Sequence, residues 1–403
     1  MSNGMAPNWL PEKPARIAVA MSGGVDSSVV AHLLAKAGHE LIGLTAWTLN
    51  GPGTCCNDAL VNAGRVCDDL GIPFDSVDLR AEFSHYVMDY YHRSYQAGLT
   101  PNPCVECNRY VKWEALLAYA VNELGVDYVA TGHYVNLGRA GDGWQDPVSI
   151  YRPLDVRKDQ TYMLARVLPQ DLQRALFPLG NWRKPDVVAH AKALNIPTAY
   201  SKESMDVCFV LNGQADYLQG VLGKKPGPVV DMDTGQVIGE HEGYFQFTQG
   251  QRKGVKVAAG RPVYVIKTDA ETNTVYVGDA KHLQSSFFEV VDVNWVVPEL
   301  PNGQGFDQGP FEAMVQTRYS SQPVLAQVSP LPKHAEQPVA RYLVTCYASQ
   351  SAVTPGQIAA FYCPDNRQLW GGGYIERHLT HPVFDASQVT SLPDLHCSAV
   401  RPH

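Results

Sequence analysis

Two groups of side chains in this sequence could do chemistry: a glycine-serine loop near the N-terminus and a set of cysteines. The loop, Met21-Ser-Gly-Gly-Val-Asp-Ser-Ser28, follows an apolar stretch and precedes apolar residues at helical spacing. A strand that turns through glycines into a helix offers free backbone N–H groups at the positive end of the helix dipole, where anions bind. Gly23 and Gly24 permit close approach and unusual backbone angles, and the serine hydroxyls add donors for phosphate oxygens. The loop predicts a phosphate site in which Asp26 orients the loop or a Mg²⁺ ion.

Nine cysteines indicate thiol or metal chemistry, because Pro11-Glu-Lys-Pro14 interrupts any secretory apolar stretch and a reducing, cytoplasmic compartment is expected. Cys104 and Cys107 form a C-x-x-C pair, and Cys208 lies in the segment Ser204-Met-Asp-Val-Cys-Phe. The C-x-x-C spacing serves zinc ligation, redox exchange and iron–sulfur binding alike, so these alternatives stay open. The other six are interpreted as structural or incidental: Cys55, Cys56, Cys67, Cys346, Cys363 and Cys397.

Composition limits the function classes. The 403 residues suggest two to three domains, and 45% hydrophobic with 18% charged residues is typical of globular proteins. A net charge of -8 gives no global positive field, so any nucleic acid must be bound by local patches. No uncharged apolar run reaches the roughly 18 residues of a membrane-spanning helix, so no membrane partner is expected.

The elements that must position these residues change character along the chain. Short apolar strands alternate with helical patterns to about residue 210, including a helix from Trp113 to Leu124, which predicts a parallel α/β sheet. Lys225-Pro-Gly-Pro228 resembles a linker or turn, and short strands follow it. From about residue 287 strands and turns dominate, as in a small closed β-barrel. We predict three domains at residues 1–212, 213–285 and 286–403.

The full string SGGVDSS resembles the PP-loop of ATP pyrophosphatases, which cleave ATP between the α- and β-phosphates and adenylate a substrate. It lacks the lysine of a P-loop and the G-x-G-x-x-G spacing of a dinucleotide fold. A glycine-rich turn with a serine cap is the alternative. Further motifs occur in a fixed order along nearly the whole chain: TPNPCVECN at 100–108, ATGHY at 130–134, LDVRKDQTYML at 154–164, LFPLG at 176–180, SMDVCFV at 204–210, GQRKG at 250–254, TRY at 317–319, TPGQ at 354–357 and LWGGGYI at 369–375.

Together these motifs resemble the tRNA-specific 2-thiouridylases, which install sulfur at C2 of the wobble uridine in tRNAs for Lys, Glu and Gln. The resemblance implies an adenine nucleotide alpha hydrolase-like PP-loop domain for ATP and catalysis, a small mixed central domain that binds tRNA, and a C-terminal β-barrel. It implies ATP and Mg²⁺ as cofactors, tRNA and a persulfide sulfur donor or relay protein as partners, and a monomer. The ATP-binding residues that it implies are Ala20, Met21, Ser22, Gly23, Gly24, Val25, Asp26, Ser27, Ala46 and Gly132.

By the same resemblance, Cys208 carries a persulfide and Cys107 is the second catalytic thiol. Either the terminal sulfur of the Cys208 persulfide attacks the adenylated C2 and a Cys107–Cys208 disulfide forms, or Cys107 releases hydrosulfide that attacks. Both schemes need a reactive thiolate, which a helix start or a basic group such as Arg109 would favour.

The family also implies contacts with tRNA, where an anticodon base must leave its stack to react. The matching residues are Asn102, Pro103, Cys104, His133, Lys158, Asp159, Gln160, Arg318, Tyr319 and Gln357. Many family members have Asp in place of Cys104, so an acid/base role at this position is in doubt here. An alternative is that Cys104, Cys107 and Cys208 hold a [4Fe–4S] cluster.

Five basic and no acidic residues lie between positions 250 and 268: Arg252, Lys253, Lys256, Arg261 and Lys267. They predict a local phosphate-binding patch, although a solvated face is the plainer interpretation. Two competing functions remain, an amide-forming synthetase that retains the PP-loop and a metal-stabilised RNA-binding module without catalysis. The paired cysteines and the added β domains argue against the synthetase.

Overall fold

The structure is a computed structural model that describes residues 8–49, 55–140, 146–200, 207–210, 213–255, 257, 259–332 and 339–378. Its α-helices are α1 (Val25–Lys36), α2 (Cys55–Leu70), α3 (Arg80–Phe83), α4 (Tyr90–Gln96), α5 (Pro103–Glu106), α6 (Leu117–Asn122), α7 (Pro169–Leu172), α8 (Lys184–Ala193) and α9 (Gln214–Leu222). Its strands are β1 (Arg16–Ala20), β2 (Glu40–Trp47), β3 (Phe74–Asp78), β4 (Tyr128–Ala130), β5 (Asn136–Arg139), β6 (Val148–Tyr151), β7 (Ala175–Leu176), β8 (Gly227–Asp231), β9 (Val237–His241), β10 (Tyr264–Asp269), β11 (Thr274–Gly278), β12 (Gln284–Trp295), β13 (Phe311–Gln316), β14 (Val324–Pro330), β15 (Arg341–Ser351), β16 (Ile358–Tyr362) and β17 (Gln368–His378).

The N-terminal part contains a parallel sheet in the order β3-β2-β1-β4-β7. Strand β1 is apolar throughout its centre because both faces are covered: Ile17 and Val19 pack on one side and Ala18 on the other, all fully buried. The predicted parallel α/β sheet is confirmed. Since β1 lies between β2 and β4, the crevice at the carboxyl ends of β1 and β4 is where such sheets bind ligands.

Two continuous helical segments cover one face of this sheet, and each contains a π-helical stretch. In the first, α3 and α4 flank a π-helix at Ser84–Asp89; in the second, α5 and α6 flank a π-helix at Cys107–Leu116. The predicted helix from Trp113 therefore begins ten residues earlier, at Pro103. π-Helical turns are uncommon and occur frequently at functional sites.

The central part is a mixed four-stranded sheet in the order β10-β11-β8-β9. The C-terminal part is a closed barrel of six strands in the order β12-β15-β14-β13-β16-β17, because β12 also pairs with β17. Both predicted architectures are confirmed, although Gly227 and Pro228 begin strand β8 and are not a linker. The α/β rhythm expected to residue 210 is interrupted by the β5–β6 hairpin, which extends the barrel sheet from the edge of β17.

Candidate functional site

The predicted phosphate loop lies between β1 and α1 and is held open by its own serines. The Ser22 backbone N–H donates to Ser27 Oγ at 3.2 Å, and Ser27 Oγ lies 3.2 Å from the Gly24 carbonyl oxygen. Gly23 has a φ of 69°, a left-handed conformation that glycine adopts without strain. The hydroxyl of Ser28 is fully buried and donates to the Gly24 carbonyl oxygen at 2.9 Å. Ser27 is also buried, so both serines hold the loop from inside, and the predicted donors toward a phosphate reduce to the exposed Ser22 hydroxyl and the backbone N–H groups.

Asp26, at the start of α1, is held by residues distant in sequence. Lys184 Nζ contacts its two carboxylate oxygens at 2.8 and 2.7 Å, and the Tyr134 hydroxyl donates to Oδ1 at 2.8 Å. The Lys184 side chain is 13% exposed, so this ion pair is shielded from water. Sequence reasoning missed Lys184, since only packing of α8 against α1 brings it to the loop. Of the two roles predicted for Asp26, these contacts suit holding the loop, because carboxylate oxygens already bound to Lys184 and Tyr134 do not fit direct Mg²⁺ ligation.

The turn after β4 completes this edge of the sheet. A Cβ added at Gly132 would lie 2.9 Å from Asp26 Cβ and 3.0 Å from the Ser27 nitrogen, so only glycine allows the turn to approach the loop. Ala46 is half-buried near the carboxyl end of β2, beside β1. The structure thus brings together at one sheet edge the residues predicted to bind ATP: Ala20, Met21, Ser22, Gly23, Gly24, Val25, Asp26, Ser27, Ala46 and Gly132.

The C-x-x-C pair lies at the start of the second helical segment. Asn102 is the N-cap of α5, its side chain accepts from the Val105 N–H at 3.4 Å, and Pro103 occupies the first turn, both typical of helix starts. Cys104 follows in this turn and is exposed, whereas Cys107 begins the π-helix and is half-buried. Local sequence thus accounts for the placement of both cysteines.

The electrostatics of these thiols differ from the prediction. Burial raises the pKa of Cys107 to about 11. Cys104 has an exposed surface, but the protein around it still removes water from the thiol and raises its pKa. Arg109 does not face them: its Nη1 donates to the Arg166 carbonyl oxygen at 2.6 Å and its guanidinium lies over the Tyr110 ring. Lys112 is the cation that lowers the pKa of both thiols, against the effect of burial. Lys112 stands five residues after Cys107, the spacing that π-helical hydrogen bonds connect.

Cys208 is exposed and is placed by its neighbour Phe209. The Phe209 ring, 7% exposed, makes edge contacts with Phe83 and Tyr91 of the first helical segment at centroid distances of 5.9 and 5.2 Å. That segment contacts the helix of the C-x-x-C pair. Phe209, next to Cys208, therefore packs on the first helical segment, and that segment contacts the one that contains Cys107.

The remaining cysteines are structural where their side chains are described. Cys67, Cys346 and Cys363 are buried, and burial raises their pKa to about 11, 12 and 12, as an unreactive role requires. The side chains of Cys55 and Cys56, and all of Cys397, lie outside the described residues, as do positions 204–206.

The cysteines do not form a metal site in the described ranges. No three His, Cys, Asp or Glu side chains within them are placed to hold one metal ion. That finding concerns a single ion, so the alternative of a [4Fe–4S] cluster held by Cys104, Cys107 and Cys208 stays a prediction. In the same part of the chain no helix is long and apolar enough to cross a membrane.

Several residues predicted to contact tRNA have internal partners. The Asp159 carboxylate pairs with Arg152 and accepts from Thr161 N–H at 2.8 Å, and Gln160 Oε1 accepts from Tyr134 N–H at 2.9 Å. His133 is 8% exposed, and its Nδ1 lies 2.7 Å from Thr131 Oγ1. Burial holds the pKa of this imidazole well below its usual value.

Others of the predicted set reach the surface. Lys158 is half-buried beside the exposed Arg157, and Tyr319 is 41% exposed next to Arg318. Gln357, just before barrel strand β16, connects the barrel to the α/β part. Its Nε2 donates to the carbonyl oxygens of Thr100 and Pro101, just before Asn102, at 2.8 and 3.2 Å.

The predicted basic patch divides in the structure. Arg252 and Lys253 are exposed, whereas Arg261 binds the carboxylates of Asp231, Asp233 and Asp279. The charge of Arg261 is therefore paired with carboxylates of the central part of the chain. The Lys267 ammonium lies 4.5 Å from the Tyr276 ring centroid, and Lys256 lies outside the described residues.

A parallel sheet with a phosphate loop after its first strand is typical of nucleotide-binding α/β proteins, and the loop sequence SGGVDSS assigns this one to the PP-loop class, which uses ATP. Family models match all three parts of the chain. A "tRNA methyl transferase HUP domain" matches residues 15–212, a "tRNA methyl transferase PRC-barrel domain" residues 215–279, and an "Aminomethyltransferase beta-barrel domain" residues 285–375. The tRNA-specific 2-thiouridylase MnmA of Chloroflexus aurantiacus is 41% identical over 90% of this chain and 99% of its own. That of Synechococcus sp. strain JA-2-3B'a(2-13) is 39% identical over 93% and 97%. The chain therefore belongs to the family of tRNA-specific 2-thiouridylases.

Among solved structures, the U34-tRNA thiolase NcsA from Methanococcus maripaludis with its [4Fe-4S] cluster is similar at 21% identity. The TM-score is 0.33, over 48% of this chain and 62% of that chain. A similarity of this size carries no argument about the cofactor.

Proposed function

We propose that this chain uses ATP to replace the C2 oxygen of the wobble uridine with sulfur in tRNAs for Lys, Glu and Gln. The observation that carries this proposal is the pairing, in one chain, of a PP-loop site with Cys104 and Cys107 on a helical segment and with Cys208 beside Phe209, which packs on the neighbouring segment. Relatives at about 40% identity bear the name tRNA-specific 2-thiouridylase. The chemistry needs reduced thiols, which a cytoplasmic location would supply.

In the first step, the uridine C2 oxygen attacks the α-phosphorus of ATP, and pyrophosphate leaves. Backbone N–H groups at the start of α1 and the exposed Ser22 hydroxyl bind the phosphates, and Ser27 Oγ holds the loop by accepting from the Ser22 N–H. The Lys184–Asp26 ion pair fixes the loop from the side. Mg²⁺ would be held by the ATP phosphates rather than by a side chain of the loop, and it would supply positive charge there.

In the second step, sulfur replaces the adenylated oxygen. The terminal sulfur of a Cys208 persulfide attacks C2, and AMP leaves with the former C2 oxygen. The Cys107 thiolate then attacks Cys208 Sγ, which breaks the sulfur–sulfur bond, frees 2-thiouridine and leaves a Cys107–Cys208 disulfide. An external thiol reduces the disulfide, and a persulfide donor or relay protein recharges Cys208. The exposure of Cys208 suits such a donor.

Cys107 needs help to ionise, because burial raises its pKa to about 11. Lys112 supplies the positive charge that offsets this effect. Cys104 stands one helical turn before Cys107 and is exposed, so it faces the region where the target base would enter. The cluster alternative is tested by anaerobic purification: full thiolation by an iron-free protein would exclude it.

The proposed tRNA surface consists of groups that reach the solvent. Tyr319, Arg252 and Lys253 are exposed, and the half-buried Lys158 and Arg318 are retained with them, since phosphate contacts need only local basic clusters. The residues with internal partners shape the base pocket: Asn102, Pro103, His133, Gln160 and Gln357. Asp159 and Arg261 are left out because their charges are paired within the protein.

The decisive experiment separates the two steps. Pyrophosphate release from ATP and 2-thiouridine formation are measured with Cys208→Ser and with the control Cys346→Ser, a buried barrel cysteine. We expect Cys208→Ser to release pyrophosphate in the presence of tRNA without forming 2-thiouridine, and Cys346→Ser to do both. Pyrophosphate release that needs a small-molecule acceptor and no tRNA would indicate a synthetase instead. Thiolation by Cys208→Ser would refute the assignment of the sulfur carrier.

A further inference from the structure

Arg166 is a fully enclosed arginine at the boundary between the α/β part and the barrel. It is 2% exposed, so each polar atom of its guanidinium needs a partner within the protein. Nη1 donates to the Asp292 carbonyl oxygen at 2.6 Å and Nη2 donates to Asp292 Oδ2 at 2.8 Å. Nε forms an ion pair with Glu106 Oε1 at 3.4 Å, without a hydrogen bond between the two atoms. The guanidinium also lies over the Tyr374 ring, 4.1 Å from its centroid.

These partners belong to two different parts of the molecule. Glu106, 2% exposed, stands between Cys104 and Cys107, and the Tyr374 hydroxyl hydrogen-bonds to it. Asp292 is on β12 and Tyr374 on β17, the two strands whose pairing closes the barrel. The single guanidinium thus connects the closure of the barrel to the cysteine segment.

An unusual backbone conformation at Asp292 allows its contact with Arg166. Its φ is 50°, the left-handed conformation that non-glycine residues seldom adopt, and it lies where the β12–β17 register shifts between Val291 and Asn294. Such strained positions persist only when their surroundings hold them, and they cluster at functional sites. The bulge lets both the carbonyl and the carboxylate of Asp292 reach Arg166.

A second set of contacts attaches the other end of the cysteine segment to the same barrel. Gln357 donates to the carbonyl oxygens of Thr100 and Pro101, and the Thr100 N–H donates to the Pro355 carbonyl oxygen at 2.9 Å. The segment from Thr100 to Cys107 is therefore held by the barrel at both ends. The phosphate loop is held instead by Lys184 and Tyr134.

We propose that Arg166 is a positioning residue through which the barrel sets the geometry of the Cys104–Cys107 segment, so that sulfur transfer depends on the barrel and adenylation does not. The proposal rests on the proposed function for its reaction and adds a role for the barrel beyond tRNA contact. A buried ion pair that also fixes geometry suits this task, since its Arg fork needs partners in fixed directions.

The test uses Arg166→Lys, which keeps the charge and loses the fork, with Arg341→Lys as matched control. Arg341 is also a shielded arginine, and the partners of its ion pairs in the described part of the chain, Glu289 and Glu376, both lie on barrel strands. We measure pyrophosphate release, tRNA affinity and single-turnover 2-thiouridine formation. Arg166→Lys is expected to slow sulfur transfer by about 10- to 100-fold, the effect of roughly 1 Å of misplacement. Pyrophosphate release and tRNA affinity should stay within about threefold of the wild type.

A second readout does not need the reaction. The ratio of alkylation rates at Cys107 and Cys104 is measured by mass spectrometry on the free protein, and it should change in Arg166→Lys and stay constant in Arg341→Lys. If Arg166→Lys fails to fold, Asp292→Asn replaces it, since this side chain is 53% exposed. A loss of both reaction steps together, or equal behaviour of test and control variants in both readouts, would overturn the proposal. A changed ratio in a protein that makes no 2-thiouridine would contradict the proposed function alone.

Discussion

Gly23 offers the sharpest test of how the phosphate loop is built. Its φ is 69°, and a Cβ added there would lie 2.4 Å from Ala59 Cα and 2.8 Å from the Ala59 carbonyl oxygen. Gly38 is a natural control, with a φ of 84° and nothing within 4 Å of an added Cβ. Both alanine variants must adopt a left-handed backbone, but only Gly23→Ala also meets the backbone of α2.

The magnitudes separate the two variants. Left-handed backbone costs roughly 1–2 kcal/mol for a residue with a Cβ, so Gly38→Ala should lower the free energy of unfolding by about that much. Overpacking adds about 1–3 kcal/mol at Gly23. If the loop shifts to relieve the contact, the same 1–3 kcal/mol appears as weaker ATP binding, about 5- to 150-fold.

The assay combines calorimetric titration with ATP and urea unfolding of both variants. Gly23→Ala is expected to lose ATP affinity or to lose more stability than Gly38→Ala, and Gly38→Ala to bind ATP as the wild type does. Equal unfolding free energies, together with wild-type ATP affinity in Gly23→Ala, would refute the close contact between the loop and α2.

Three further outcomes are expected. Because the pKa of Cys107 is raised to about 11, the rate of Cys107 alkylation should still increase above pH 9. Lys112→Gln should lower this rate at any fixed pH, and a rate that reaches its plateau below pH 9 would contradict the raised pKa. Burial and the charge of Glu114 raise the pKa of Asp171 from 3.8 to about 6, so the native state loses stability as the pH rises from 3.8 to 6. In urea unfolding, Asp171→Asn should therefore be more stable than the wild type above pH 6 and equally stable below pH 3.8. Lys253→Glu should weaken tRNA binding in filter assays more at low than at high salt, and unchanged binding at both would remove this residue from the interface.

Local sequence determined the two reactive segments. Gly23 and the serines between an apolar strand and an apolar helix leave the chain few alternatives to the observed loop. Asn102 and Pro103 likewise start a helix that carries both cysteines. Backbone preferences and short-range hydrogen bonds act within a few residues, so they can be predicted from the sequence, as the three architectures were.

Only the tertiary structure decided which charges are available for a ligand. Arg261 seemed free in a basic run, yet three aspartates neutralise it, and Arg109 turned out to face a carbonyl oxygen. Lys184 lies 158 residues from the Asp26 that it pairs with, and Arg166 joins Glu106 to a barrel strand. Such pairs form because whole elements pack together, and the packing depends on buried surfaces that no local pattern records.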